Sequence, residues 1–127
     1  MKIKLFTLLI VLVSITDSRA QDRTTVKANS VDISDNLDLR AIATIFGESA
    51  NLEDFEQRLN DSQTQISNLD LNNDNQVDYL RVIESVEGRT HLIIVQSVIG
   101  RDLFQDVATI EVEKDRNNKL QVQIVGD

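Results

Sequence analysis

Asp70-Leu71-Asn72-Asn73-Asp74-Asn75-Gln76-Val77-Asp78 is the one stretch of this chain whose residue types and spacing suit a specific chemistry. Oxygen-bearing side chains recur at Asp70, Asn72 and Asp74, and again at Asp78. Alternate side chains of a tight loop point to one side, so the first three converge. A hard divalent cation such as calcium wants several oxygens at about 2.3–2.6 Å. Gln76 would add its backbone carbonyl, and Asp78 would bind directly or through water. Asn75 falls where such a loop needs a positive φ, and Asn tolerates that conformation better than other non-glycine residues. Val77 is expected to tuck into the core. The expected ligand set is therefore Asp70, Asn72, Asp74, Gln76 and Asp78, holding Ca2+. Magnesium fits less well, because it keeps more of its water. The competing reading is a bare Asn/Asp-rich turn between helix and sheet, since these residues favour turns for their own reasons.

These nine residues resemble the calcium loops of EF-hands, dockerins and integrin-type repeats. They depart from an EF-hand at the twelfth position, where Arg81 stands in place of a bidentate Glu. The residues that follow read as a strand rather than a helix, so no EF-hand domain is expected. Three carboxylates, one amide, one carbonyl and water imply a weak, extracellular-grade site, with a dissociation constant of roughly 10⁻⁴–10⁻³ M. Glu84 or Glu87, on the following strand, could approach as a further ligand.

Elsewhere the inventory for chemistry is thin. With no Cys there is no disulfide framework, thiolate metal site or cysteine nucleophile. One His excludes a multi-histidine zinc or iron centre within the chain. His91 opens an apolar strand with no nucleophile to pair with, so it reads as a strand-edge residue. A formal net charge of −8 argues against a binder of phosphate backbones. The scarcity of aromatic residues argues against a carbohydrate module. Asp115 to Asn118 is flanked by Lys114 and Lys119 and includes Arg116, which opposes a second cation site.

The elements that must position the loop are two helices before it and four strands after it. Ser34 or Asp35 is expected to cap the first helix, with Leu37, Ala41, Ile42, Ile45 and Phe46 on its apolar face and Gly47 ending it in a left-handed conformation. Asn51 caps the second, with Glu53 and Asp54 in its first turn and Leu52, Phe55 and Leu59 inward. Phe46 and Phe55 are core anchors, and Phe104 is expected in the core, with an exposed partner contact as the alternative. Strands follow at Tyr79 to Val86, His91 to Ile99, Asp106 to Glu113 and Leu120 to Ile124, separated by Glu87-Gly88-Arg89, Gly100-Arg101-Asp102 and the polar loop 114–119. The expected fold is α+β: an N-terminal helical hairpin followed by a four-stranded antiparallel sheet of two β-hairpins.

The N-terminus reads as an export signal over residues 1–20. Lys2 and Lys4 precede the apolar run Leu5 to Val13, and Ser18-Arg19-Ala20 offers a cleavage site. Residues 21–33 are expected to be a flexible lead-in, and 34–127 a single domain. Loss of Lys2, Lys4, Asp17 and Arg19 leaves 10 basic and 20 acidic residues in the mature chain. The segments LDLNNDNQVDYLRVIE, FQDVATIEVEK and QVQIVGD resemble a group of uncharacterised exported proteins of Gram-negative bacteria that carry a single DxNxDxxxD loop. That resemblance implies a short version of such a chain and no established activity. The resulting expectation is a periplasmic or secreted domain with one structural calcium and a non-catalytic binding or assembly role toward a protein partner. The alternatives are a metal-free interaction module in which the loop is only a turn, and, third, a small hydrolase.

Overall fold

The computed structural model describes residues 23–28 and 31–127. The expected export signal, residues 1–20, lies outside them. In chain order the elements are β1 (Arg23–Ala28), α1 (Val31–Asn36), α2 (Leu39–Glu48), α3 (Leu52–Leu59), β2 (Tyr79–Glu87), β3 (Thr90–Gly100), β4 (Leu103–Lys114) and β5 (Leu120–Gly126). The fold is α+β, with helices followed by antiparallel β2 to β5. No helix among the described residues is long and apolar enough to cross a membrane.

Among the described residues the sheet has five strands, in the order β1-β5-β4-β3-β2, and β1 runs parallel to β5. Two expectations are thereby corrected. The lead-in 21–33 carries β1 and half of α1, and the sheet gains a fifth, parallel strand. The sequence RTTVKA contains three consecutive β-branched residues but too few apolar ones to show a period. Its pairing comes from the free edge of β5, a long-range partner that local pattern cannot reveal.

The strands alternate as a half-buried sheet should. Leu80, Ile93, Val95, Ala108, Ile110, Val112, Leu120, Val122 and Ile124 are buried and form one cluster with Leu39, Ile42, Phe46, Phe55 and Leu59 of the helices. Phe46 and Phe55 meet edge to face, 5.4 Å between ring centroids. Gly126 lets α1 and α2 approach β5 closely: a Cβ there would lie 2.7 Å from Ile33 Cγ2 and 2.9 Å from Leu39 Cδ1. Gly88, at φ +62°, turns the chain between β2 and β3.

The first expected helix is split. The chain leaves helical geometry at Leu37, which forms a bridge with Ser67, while the Asn68 N–H donates to Asn36 O and the Asp38 N–H to Ile66 O. The cap is consequently Asp38, whose carboxylate accepts from the Ala41 N–H at 3.0 Å, rather than Ser34 or Asp35. Gly47 does not end the helix: α2 runs on to Glu48, and Ser49, at φ −83°, is its C-cap. The Ser49 hydroxyl donates to Ile45 O at 2.6 Å and supplies the termination assigned to glycine. Asn51 caps α3 as expected, accepting from the Asp54 N–H at 2.8 Å. The Ala50 N–H, with help from the Arg58 guanidinium, holds the Asp54 carboxyl below its ordinary range.

One buried side-chain polar atom lacks a partner among the described residues, the hydroxyl of Ser97 on β3. A buried hydroxyl without a hydrogen bond costs about 1–3 kcal/mol. Ser97→Ala is therefore expected to raise stability by about 1 kcal/mol, read as a higher urea midpoint at unchanged slope.

Candidate cation site

Residues 60–78 join α3 to β2, and their ends are clamped before the loop begins. Asn60, the C-cap of α3, accepts from the Leu80 N–H at 2.8 Å and donates to Leu80 O at 2.7 Å. Glu56, one turn earlier, accepts from the Val82 N–H at 2.7 Å and from the Tyr79 hydroxyl at 2.6 Å. Two side chains of α3 thus satisfy polar backbone that edge strand β2 would otherwise leave bare. Local pattern carries no sign of this, because each pair is twenty or more residues apart.

The same clamp fixes the only tyrosine in the chain. Its hydrogen bond to the Glu56 carboxylate, then burial, then the Glu56 charge push the Tyr79 phenol up to about 12. The neutral phenol is favoured in the folded state. This contribution to stability is complete below the ordinary value of 10 and is lost as pH rises toward 12. With no Trp to interfere, absorbance near 295 nm should report a midpoint close to 12. In Glu56→Gln the midpoint should fall back toward 10.

The loop itself turns on side chains that accept backbone N–H groups. Asp70 accepts from Asp74 at 3.1 Å through Oδ1 and from Asn75 at 2.9 Å through Oδ2. Asp74 accepts from the Gln76 N–H at 2.9 Å. Asp78, 6% exposed, accepts from the Leu71 N–H at 2.8 Å, and its own N–H donates to Leu69 O. Asn73 and Asn75 take the left-handed conformation, at φ +59° and +67°. The expectation for Asn75 holds.

These bonds draw Asp70, Asp74 and Asp78 together. One carboxylate oxygen from each lies within 4.8 Å of the others. Two ligands on opposite sides of a calcium ion are separated by about 4.6–5.2 Å, twice the bond length. The cluster can hold a metal ion: it runs from buried Asp78 to exposed Asp74, which leaves one side open to water.

Asn72 and Gln76 stand in the same loop. The Asn72 amide donates to Ile99 O at 3.2 Å, which ties the loop to the end of β3, and its oxygen accepts from the Asp74 N–H at 3.3 Å. Gln76 is exposed and is fixed through its N–H to Asp74. Val77 departs from expectation. It is 57% exposed, and Leu69 and Leu71 carry the apolar anchoring of the loop instead. The cause is alternation: Asp78 and Leu80 turn inward, so Val77 and Tyr79 turn out.

Glu84, a further ligand by chain distance, lies elsewhere: its Oε2 is 3.0 Å from His91 Nδ1, across the β2–β3 hairpin. His91 thus has a carboxylate neighbour the sequence did not show, and no hydroxyl nucleophile is bonded to it among the described residues. Phe104 is not a core residue. It is 37% exposed, with the Arg81 guanidinium 3.6 Å over its ring. Against protein-family models, curated proteins and solved structures alike, the chain finds no match.

Proposed function

We propose that this is an exported domain in which the 70–78 loop holds one structural calcium ion, with a binding or assembly role and no chemistry of its own. The observation that carries the reading is the approach of Asp70, Asp74 and Asp78 to within 4.8 Å. Three carboxylates so close repel one another, and a divalent cation removes that repulsion. Each oxygen already accepting an N–H retains a second lone pair for a metal. Calcium is favoured over magnesium by the loop spacing and by an all-oxygen set that includes Asn72 and the Gln76 carbonyl. Export is supported by the charged, apolar and small-residue segments of residues 1–20, in that order. In this reading α2 and α3 are the expected helical hairpin, and the ion pins the junction between that hairpin and the sheet.

A second reading is favoured by the loop's own hydrogen bonds. Each of the three aspartates accepts a backbone N–H, so the loop also holds together as a plain turn. Thermal unfolding in calcium and in chelator separates the two. Calcium at about 100 times its dissociation constant adds about 2.7 kcal/mol if it binds only the folded state. For a domain of this size that raises Tm by roughly 10–20 °C. Asp74→Ala, at an exposed position, should abolish the shift and leave Tm in chelator nearly unchanged. No shift at millimolar calcium would leave the metal-free module in first place.

A further inference from the structure

We propose that the outer edge of β5 is an acceptor site for an extended, basic segment of a partner protein, and that β1 is a built-in strand holding that edge in the partner's absence. The proposal is independent of the cation site. β5, Leu120–Gly126, has no charged residue. Charges commonly keep an exposed edge from pairing with another chain, so β5 needs a cover. β1 supplies it through six paired positions, Arg23↔Gln121 to Ala28↔Gly126. This is the one parallel pairing among the described strands, and parallel ladders are slightly weaker per residue.

Val26 of β1 is half-buried against the core, and Ala28 is exposed. The end of β5 is sealed by helices rather than by β1: Ile33 of α1 and Leu39 of α2 crowd Gly126 directly. Beside β1 lies an open cavity of about 440 Å³, lined by Val26 with Leu37, Leu39 and Ile66, and by Asn36 and Gln65. Beyond the backbone bonds, one half-buried valine offsets little of the entropy lost in ordering six residues. β1 therefore belongs to the low-stability end of the molecule. The same features describe the partner. In strand addition, backbone bonds supply affinity and alternate side chains supply specificity. At the level of Val26 the cavity takes a larger apolar side chain. RTTVKA has two basic residues and no acidic one, in a chain of net charge −8, so a basic segment is the complementary occupant.

Competition by a labelled peptide tests this, in chelator so that the loop contributes nothing. The probe is the residue 21–30 sequence carrying Val26→Phe and a fluorescein label, and its anisotropy is followed as purified protein is added. It should bind about fivefold more tightly than the unsubstituted peptide. Lys27→Cys with Val125→Cys alters two positions that are partners across β1 and β5. Neighbouring strands lie about 4.8 Å apart, within the span of a disulfide. The chain has no other Cys. Oxidised, this double variant should bind the peptide about tenfold or more weakly than when reduced, because the locked edge is no longer accessible. Both forms have one sequence, so a folding defect of the variant cannot produce the difference. Val26→Ser in the protein removes the valine that anchors β1 and should tighten peptide binding about tenfold, by raising the fraction of open edges. A strand with only a structural role gives no such gain. Absence of binding up to sub-millimolar protein overturns the proposal. So does equal binding by the oxidised and reduced forms, or a Val26→Ser variant that binds no tighter than wild type.

Discussion

Phe55→Ala should be the most damaging single core substitution in this chain, costing about 3–5 kcal/mol. Phe55 is fully buried on α3 and meets Phe46 of α2 edge to face at an interplanar angle of 72°. Truncation removes the ring's burial, leaves a cavity and ends the aromatic pair, itself worth about 0.5–1.5 kcal/mol. Since α3 also carries Glu56 and Asn60, a loosened helix releases the side chains that cover the edge of β2. The loss is a large share of the 5–15 kcal/mol typical of whole proteins. Tm should fall by about 15–25 °C on that basis. Phe104→Ala, at an exposed ring, is the control and should cost less than about 1 kcal/mol. Urea unfolding of both variants checks the contrast; equal losses would mean that the helices do not depend on the Phe46–Phe55 contact.

Phe55 was legible in the sequence because it lies on a helix with a strong 3.6-residue pattern, and Phe104 was not because hydrophobicity alone does not say which face of a strand is covered. The same division runs through the molecule. Strands β4 and β5 follow from alternation, β2 and β3 from their density of branched, aromatic and apolar residues, and Asn51 from its place before an apolar period. What escaped was decided by partners distant in sequence. β1 is a strand because β5 has a free edge, α1 and α2 are separate because residues 36 and 38 bond to 68 and 66, and Glu56 and Asn60 matter through bonds to β2. In the loop, the spacing foretold the convergence of Asp70, Asp74 and Asp78 and the left-handed Asn75. It failed at Val77, because a rule about loops met the stronger alternation of the strand that begins at Tyr79.

That alternation makes Asp78 the residue through which the loop and the core are joined, and Asp78→Ala should be the most damaging change at the site. Asp78 is buried, and its carboxylate is the acceptor for the Leu71 N–H. Removing it leaves that N–H without its partner, a cost of about 1–3 kcal/mol whether or not metal is present. In calcium near 100 times its dissociation constant, the variant also forfeits about 2.7 kcal/mol of binding linkage. The combined loss in calcium is then about 4–6 kcal/mol, against about 1–3 kcal/mol in chelator. Asp74→Ala loses the linkage alone, because Asp74 is exposed and its carboxylate accepts only the N–H of exposed Gln76. Two aspartates of one cluster are thus expected to differ in chelator and to coincide in losing the calcium response. Thermal unfolding of both variants with and without calcium gives the four values needed. If Asp78→Ala keeps its calcium shift, Asp78 is a structural acceptor and not a ligand. If both variants and wild type ignore calcium, the cluster is a turn whose carboxylates serve the backbone alone.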